Sequence, residues 1–198
     1  MRVRTDARRQ AIVDAAWEVF RENGFERTTM SDISERVGGS KATLYGYFQS
    51  KEQLFAAALE KMISGSAERS FSRLTGPGDL ESRLRDFAQT YIETRLQPDS
   101  LAIERALIAE GERSDLGERL RQQFIQPHWR RLAAALDQEM QAGRLRKADP
   151  MIATWHFRGM IEVDLLERRL HGDPNITAHE VERAVNAGVE TFLRAYAP

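Results

Sequence analysis

Between residues 28 and 51 the chain reads TTMSDISERVGGSKATLYGYFQSK, and the side chains suited to chemistry there are lysines, hydroxyls and two tyrosines. Lys41, Ala42, Thr43, Tyr45 and Tyr47 follow closely on Ser40. A lysine and hydroxyls at a helix N-terminus can meet phosphate oxygens and base edges, because the free first-turn amides and the helix dipole favour the same anion. Ala42 offers a small apolar surface to a thymine methyl. Tyrosines on a solvated face make sense as hydroxyl donors to phosphate, and Lys51 adds a cation for the same backbone. The chemistry indicated is recognition of duplex DNA. A plainer reading of the same residues stays open: a helical hairpin whose aromatic residues fill its own core.

The elements that must hold these residues are short. Thr29 is a good N-cap, with Asp32 three residues on as a weaker stand-in for the acid of a capping box. Ile33 and Val37 lie four apart on one helical face. Gly38-Gly39 marks a turn. Ser40 can cap a second helix with Leu44 and Phe48 on its buried face. Helix, glycine turn, helix is the outline of a helix-turn-helix, whose second helix enters the major groove. The predicted DNA-facing set is Thr29, Ser40, Lys41, Ala42, Thr43, Tyr45, Tyr47 and Lys51. Arg2, Arg4, Arg8 and Arg9 form a basic arm before the first helix, able to reach phosphate or the minor groove. For Arg2 and Arg4 a solvated tail is an equal alternative.

These motifs are familiar together. Phe25-Glu26-Arg27-Thr28-Thr29-Met30, Val37-Gly38, Ser40 through Phe48 and Ser50-Lys51-Glu52-Gln53-Leu54-Phe55 closely resemble the DNA-binding domain of TetR-family transcriptional regulators, without gaps from about residue 8 to 60. Gly46 departs from that pattern, since many relatives carry histidine or another larger residue there, and Gly39 departs where relatives often have a β-branched residue. The operator sequence is therefore left open. In the second half, Arg105-Ala106-Leu107-Ile108-Ala109-Glu110, Gly143-Arg144-Leu145, Asp149-Pro150 and Leu170-His171-Gly172 are similar to the C-terminal domain of the AefR-like branch, although Gly111 to Asp115 stands where relatives often carry proline. The resemblance implies a repressor released from a palindromic operator by a small molecule, an activator or ligand-independent regulator of the same fold being the alternative. A helical ligand-binding module without DNA binding is a further rival.

Composition narrows the field independently. The 198 residues carry a formal charge of −1 and no cysteine, so thiol catalysis and disulfides are excluded. No apolar run approaches the roughly 20 residues that span a membrane, and no signal peptide opens the chain; a cytoplasmic protein is expected. Apolar residues repeat at three and four, which predicts an all-α fold of about nine helices. His128, His156, His171 and His179 lack ligand-type spacing, and there is no phosphate loop or nucleophile elbow, so neither metal, cofactor nor enzyme activity is expected. Glu162 is predicted to pair with Arg158 or, for its neighbour Asp164, with Arg168, at four-residue spacing.

Two domains are predicted, 1–51 for DNA and 52–198 for effector binding and dimerisation. A first helix spans about Asp6 to Asn23. An unbroken helix starts at the Ser50 cap and runs to about Arg73, where Thr75-Gly76-Pro77-Gly78 reads as a linker. Further helices follow Asp79 and Pro98. The one from about Leu116 to Ala142 contains Pro127, which should kink it or split it in two. Phe87, Tyr91, Leu107, Phe124, Trp129, Trp155 and Gly159 are candidates for an effector pocket, whose aromatic lining and few charges point to an apolar or aromatic small molecule; for each singly, core packing is the plainer reading. The last two helices, Asp149 to about Leu170 and Thr177 to Tyr196, are apolar on more than one side. They are predicted to form a two-fold dimer interface, with Ala184, Ala187, Gly188, Thr191 and Ala195 as a small-residue strip.

Overall fold

The computed structural model describes residues 2–112 and 114–198, with side chains from Thr5 onward apart from Ser66. The side chains of Arg2 and Arg4, and Arg113, lie outside the described residues. Among the described residues the chain is all helical. The elements are α1 (Arg2–Asn23), α2 (Met30–Val37), α3 (Lys41–Tyr47), α4 (Lys51–Leu74), α5 (Leu80–Arg95), α6 (Pro98–Gly111), α7 (Leu116–Leu120), a π-helical turn (Arg121–Ile125), α8 (Gln126–Gln141), α9 (Pro150–Glu162), α10 (Leu165–Leu170) and α11 (Ala178–Ala195). The first helix thus starts earlier than its predicted position at Asp6.

Caps place the boundaries. Thr29, Ser40, Ser50, Asp79, Asp149 and Thr177 each accept a first-turn amide with the side chain, satisfying donors that a helix start leaves free. Asp32 completes a full capping box with Thr29. Gly38 ends α2 in the left-handed region at φ 68, where a side chain would be strained. Gln53 Oε1 accepts the Gln49 amide at 3.0 Å, one residue ahead of the Ser50 cap.

Two apolar clusters organise the molecule. One joins α1, α2, α3 and the first half of α4 (Leu54, Phe55, Ala58, Leu59) to Ile103 and Leu107 of α6 and Leu116 and Leu120 of α7. The other joins the end of α4 (Phe71, Leu74) to α5, α8, α9, α10 and α11. The 24 residues of α4, about 36 Å at 1.5 Å per residue, run through both without a break. The head therefore does not pack alone; α6 and α7 complete its core.

Two stretches differ from a regular helix. Before Pro127 the chain widens into a π turn: the Gln126 amide reaches back five residues to the Arg121 carbonyl. Proline has no amide hydrogen for the Gln123 carbonyl, and a π turn accommodates the loss. The helix expected to continue from Asp149 to Leu170 breaks at Val163, which takes φ 46 and ψ −123. A β-branched residue in that region is strained. The break lets α10 restart where Arg105 of α6 donates to the Arg169 and Leu170 carbonyls, both at 3.1 Å, and where Arg168 pairs with Asp173 at 2.7 Å and Glu180 at 2.9 Å. Gly188 has its close approach inside the protomer, since a Cβ there would meet the Met160 carbonyl oxygen at 2.5 Å.

Candidate DNA-reading face and ligand cavity

α3 buries Leu44 and turns its polar side outward, with Phe48 sealing its end. Ser40 Oγ accepts the Thr43 amide at 3.1 Å and lies 2.9 Å from the Thr43 hydroxyl. Lys41, Ala42 and Thr43 are exposed, Tyr45 is 49% exposed and Tyr47 is half-buried. Lys41 makes no hydrogen bond or ion pair among the described residues, so its ammonium is available to an outside anion.

Thr29 and Lys51 are more committed to the fold. The Thr29 hydroxyl accepts the Asp32 amide at 3.3 Å and donates to Asp32 Oδ2 at 2.9 Å. The Thr29 amide and hydroxyl hold the Asp32 carboxyl below its usual range. Lys51 Nζ donates to the Phe25 and Glu26 carbonyls at 2.8 and 3.2 Å and sits 4.3 Å from the Phe25 ring centroid. Two of its three donors thus tie the start of α4 to the α1–α2 turn. From the basic arm, Arg9 lies 5.0 Å over the Phe48 ring. A Cβ on Gly39 would meet Arg8 Nη2 at 2.9 Å, so this glycine lets the guanidinium approach the turn.

A cavity of about 450 Å³ opens at the seam between the two apolar clusters. Tyr91, Leu107, Trp129 and Trp155 of the predicted effector set line it. The other three do not. Phe87 is fully buried behind Tyr91, their rings stacked at 5.8 Å. Phe124 packs on the head cluster, and Gly159 is on the exposed side of α9.

The wall is more charged than the sequence reading anticipated, because Arg95, Arg121, Arg158, Glu104 and Glu118 also line it. Arg158 Nε donates to Glu162 Oε1 at 2.9 Å, the predicted four-residue pair, and the Tyr91 hydroxyl donates to the same oxygen at 2.6 Å. Burial and the Glu162 carboxylate push the Tyr91 phenol well above its ordinary pKa, so it stays a neutral donor. Arg95 pairs with Glu104 at 3.0 Å. Helical spacing could have found two of these arginines: Arg95 follows Tyr91 by four and Arg158 follows Trp155 by three, so each shares a face with a candidate aromatic. His156, by contrast, points to the Tyr196 hydroxyl at 2.8 Å, away from the cavity.

No group of three His, Asp or Glu able to hold a metal occurs among the described residues, and no described helix is long and apolar enough to cross a membrane. A helix-turn-helix with an exposed lysine on its second helix, joined by one continuous helix to a second helical cluster, defines a helix-turn-helix type of DNA-binding protein. The chain belongs to the TetR family: residues 12–58 match the model for bacterial regulatory proteins of the tetR family, and residues 82–198 match the AefR-like transcriptional repressor C-terminal domain. It is a DNA-binding transcriptional regulator and not an enzyme.

Among solved structures it is similar to a regulator from Mesorhizobium loti MAFF303099 (TM-score 0.88, 24% identity, 98% of this chain and 99% of that one). It is also similar to the flavonoid-responsive regulator FrrA (TM-score 0.79, 33% identity, 98% of each chain). The transcriptional repressor ComR of Escherichia coli K12 is 35% identical over 80 residues, 40% of this chain and 38% of that protein. The chain spans under half the length of the first curated relatives it matches.

Proposed function

We propose that the protein is a homodimeric repressor that leaves a palindromic operator when a small aromatic molecule fills the cavity. Residues 1–51 read DNA; residues 52–198 bind the ligand and hold the dimer. Lys41, Ala42, Thr43, Tyr45 and Tyr47 face the groove. Thr29, Ser40 and the remaining Lys51 donor stand at helix starts, beside phosphates. Tyr91, Leu107, Trp129 and Trp155 meet the ligand, and Phe87 backs them.

The observation that carries this reading is the position of the cavity. α6 and α7 pack with the head and α5, α8 and α9 with the body, so an occupant between them alters their spacing. α6 is tied to α1 by Arg21 and Asp99 at 3.3 Å, and to α10 by Arg105. A ligand that prefers one spacing shifts the population by its differential affinity for the two states. Support for the dimer comes from the outer side of α9 and the break that follows it, where Ile152 is 53% and Val163 62% exposed, with Gly159 between them. Ala187, Thr191 and Ala195 are exposed on α11. A second copy covering these surfaces fixes the distance between two heads and hence the half-site spacing. The flavonoid response of FrrA and the repressor role of ComR point the same way for ligand and direction.

The test is anisotropy with labelled DNA from upstream of the gene, at stated salt, against unrelated competitor. Selective binding that is weakened in Lys41→Ala and by an aromatic ligand supports the proposal. Binding strengthened by the ligand would replace repressor with an activator-like response, and binding no tighter than to competitor would remove the operator assignment.

A further inference from the structure

Arg158 is the unusual group of the cavity wall. Its guanidinium lies 5.1 Å from the Trp129 ring centroid and 5.8 Å from that of Trp155, whose rings are 5.7 Å apart. Its side chain is only 27% exposed. Only Nε is engaged, by Glu162; neither Nη group has a hydrogen-bond partner among the described residues. Four N–H donors on one delocalised cation are therefore unspent.

The surroundings favour an anionic occupant. Arg121 uses Nε and Nη2 on Glu118, at 2.6 and 2.8 Å, and Arg95 is engaged by Glu104. Three arginines and two glutamates line the cavity, while Glu162 stands behind Arg158 and outside the lining. Both Arg95 and Arg121 feel the positive charge of Arg158. The two tryptophan faces that would hold a ligand cation are already occupied by that guanidinium. A cavity of roughly 150 Å³ accommodates benzene, so about 450 Å³ has room for two or three substituted rings.

We propose that the cavity selects planar aromatic acids: two- or three-ring molecules whose ionised oxygen, a carboxylate or an acidic phenolate, is held by the Arg158 Nη groups. This rests on the cavity being the effector site and adds what that site distinguishes. Arg158 is then the specificity-determining residue, with Tyr91 and Glu162 holding it in place.

The test titrates the full-length protein at pH 8 with isosteric probes, following tryptophan fluorescence and confirming affinities by calorimetry. 2-Naphthoate is compared with 2-naphthamide and 2-naphthylmethylammonium, and 7-hydroxyflavone with 7-methoxyflavone. In the wild type at least one acid is expected to bind ten-fold or more tighter than its neutral isostere, with the cation weakest. The first pair reads carboxylate and the second phenolate. In Arg158→Met the acid should fall to the level of its isostere, whose affinity stays within about two-fold, and Arg158→Lys should recover part of the difference. Equal or tighter binding of both neutral isosteres overturns the acid preference yet leaves the aromatic cavity standing, a result that does not depend on the variant folding. Discrimination that survives in a folded Arg158→Met moves the recognition to another residue and overturns the assignment. If no probe binds, both this inference and the effector reading fail.

Discussion

Lys41 and Arg158 each carry N–H donors that no described residue engages, and they are held in opposite ways. Lys41 stands on a seven-residue helix, exposed and unpaired, with nothing packed behind its charge. Arg158 lies against two tryptophans with Nε fixed to a carboxylate that also holds Tyr91. Removing the first charge leaves the head's core intact, because Leu44, Phe48 and Leu54 carry it. Removing the second disturbs a network built into the body. A partner that arrives from solvent can be read by side chains that do no folding work. A partner enclosed by the fold must be read by side chains that are part of its wall, so recognition and stability become coupled there.

The largest expected effect tests that coupling from the inside. Phe87 is fully buried and touches Phe71, Tyr91 and Phe157, so Phe87→Ala should cost about 4 kcal/mol in urea unfolding. It should also loosen ligand binding although Phe87 does not line the cavity. A variant this destabilised with unchanged ligand affinity would break the comparison.

Next comes Glu139, buried between Arg144, on its own loop, and Arg83 at 3.0 Å. The Arg144 bond, helped by Arg83 and opposed by burial, holds its carboxyl below the ordinary 4.5. A folded pKa below the unfolded one means the stabilisation is full above about pH 4.5 and is lost as pH falls through the folded value. Glu139→Gln should therefore cost about 2 kcal/mol at pH 7. The gap to the wild type should close in acid, which thermal unfolding across pH can follow. A gap that widens as pH falls would contradict the sign.

A smaller gain is expected at Val163, whose left-handed backbone has no need of a side chain that is mostly exposed. Val163→Gly should raise body stability by about 1 kcal/mol, strain relief outweighing the added chain entropy. If the dimer uses the α9 stripe, the same change weakens self-association, so sedimentation at several concentrations separates the two effects.

The least effect on stability belongs to the head. Lys41→Ala should shift unfolding by no more than about 0.5 kcal/mol, yet lower operator affinity and reduce the salt slope by about one unit. Lys51→Met sharpens the contrast: with two carbonyls and a phenyl face as partners, it should cost about 1 kcal/mol of stability. If Lys51→Met abolished operator binding while leaving the melting curve in place, its predicted phosphate role would outrank the structural one.

Much of the head was legible in the chain because its signals are local. A cap and its amide, a glycine turn, and apolar residues four apart lie within one or two helical turns. Thr29, Gly38, Ser40, Leu44 and Phe48 could thus be assigned from spacing alone. The all-α class, the unbroken α4 and the Arg158–Glu162 pair follow from the same short range. What the residues around Lys51 do with its charge was not legible, since the accepting carbonyls lie 26 and 25 positions earlier.

The body required the tertiary structure. Aromatic residues at helical spacing look alike whether they line a void or fill a core, and only packing sorted Trp129 and Trp155 from Phe87 and Phe124. The π turn depends on how a missing amide at Pro127 is absorbed, and the break at Val163 contradicts its own β-branched propensity. The break is held by a contact far along the chain, Arg105 on the α10 carbonyls. The chain by itself determined which short elements form and which face of α3 stays polar and exposed, because those depend on neighbours a few residues away. Where a cavity opens and which charges enter it depended on six helices and a π turn meeting across the whole fold.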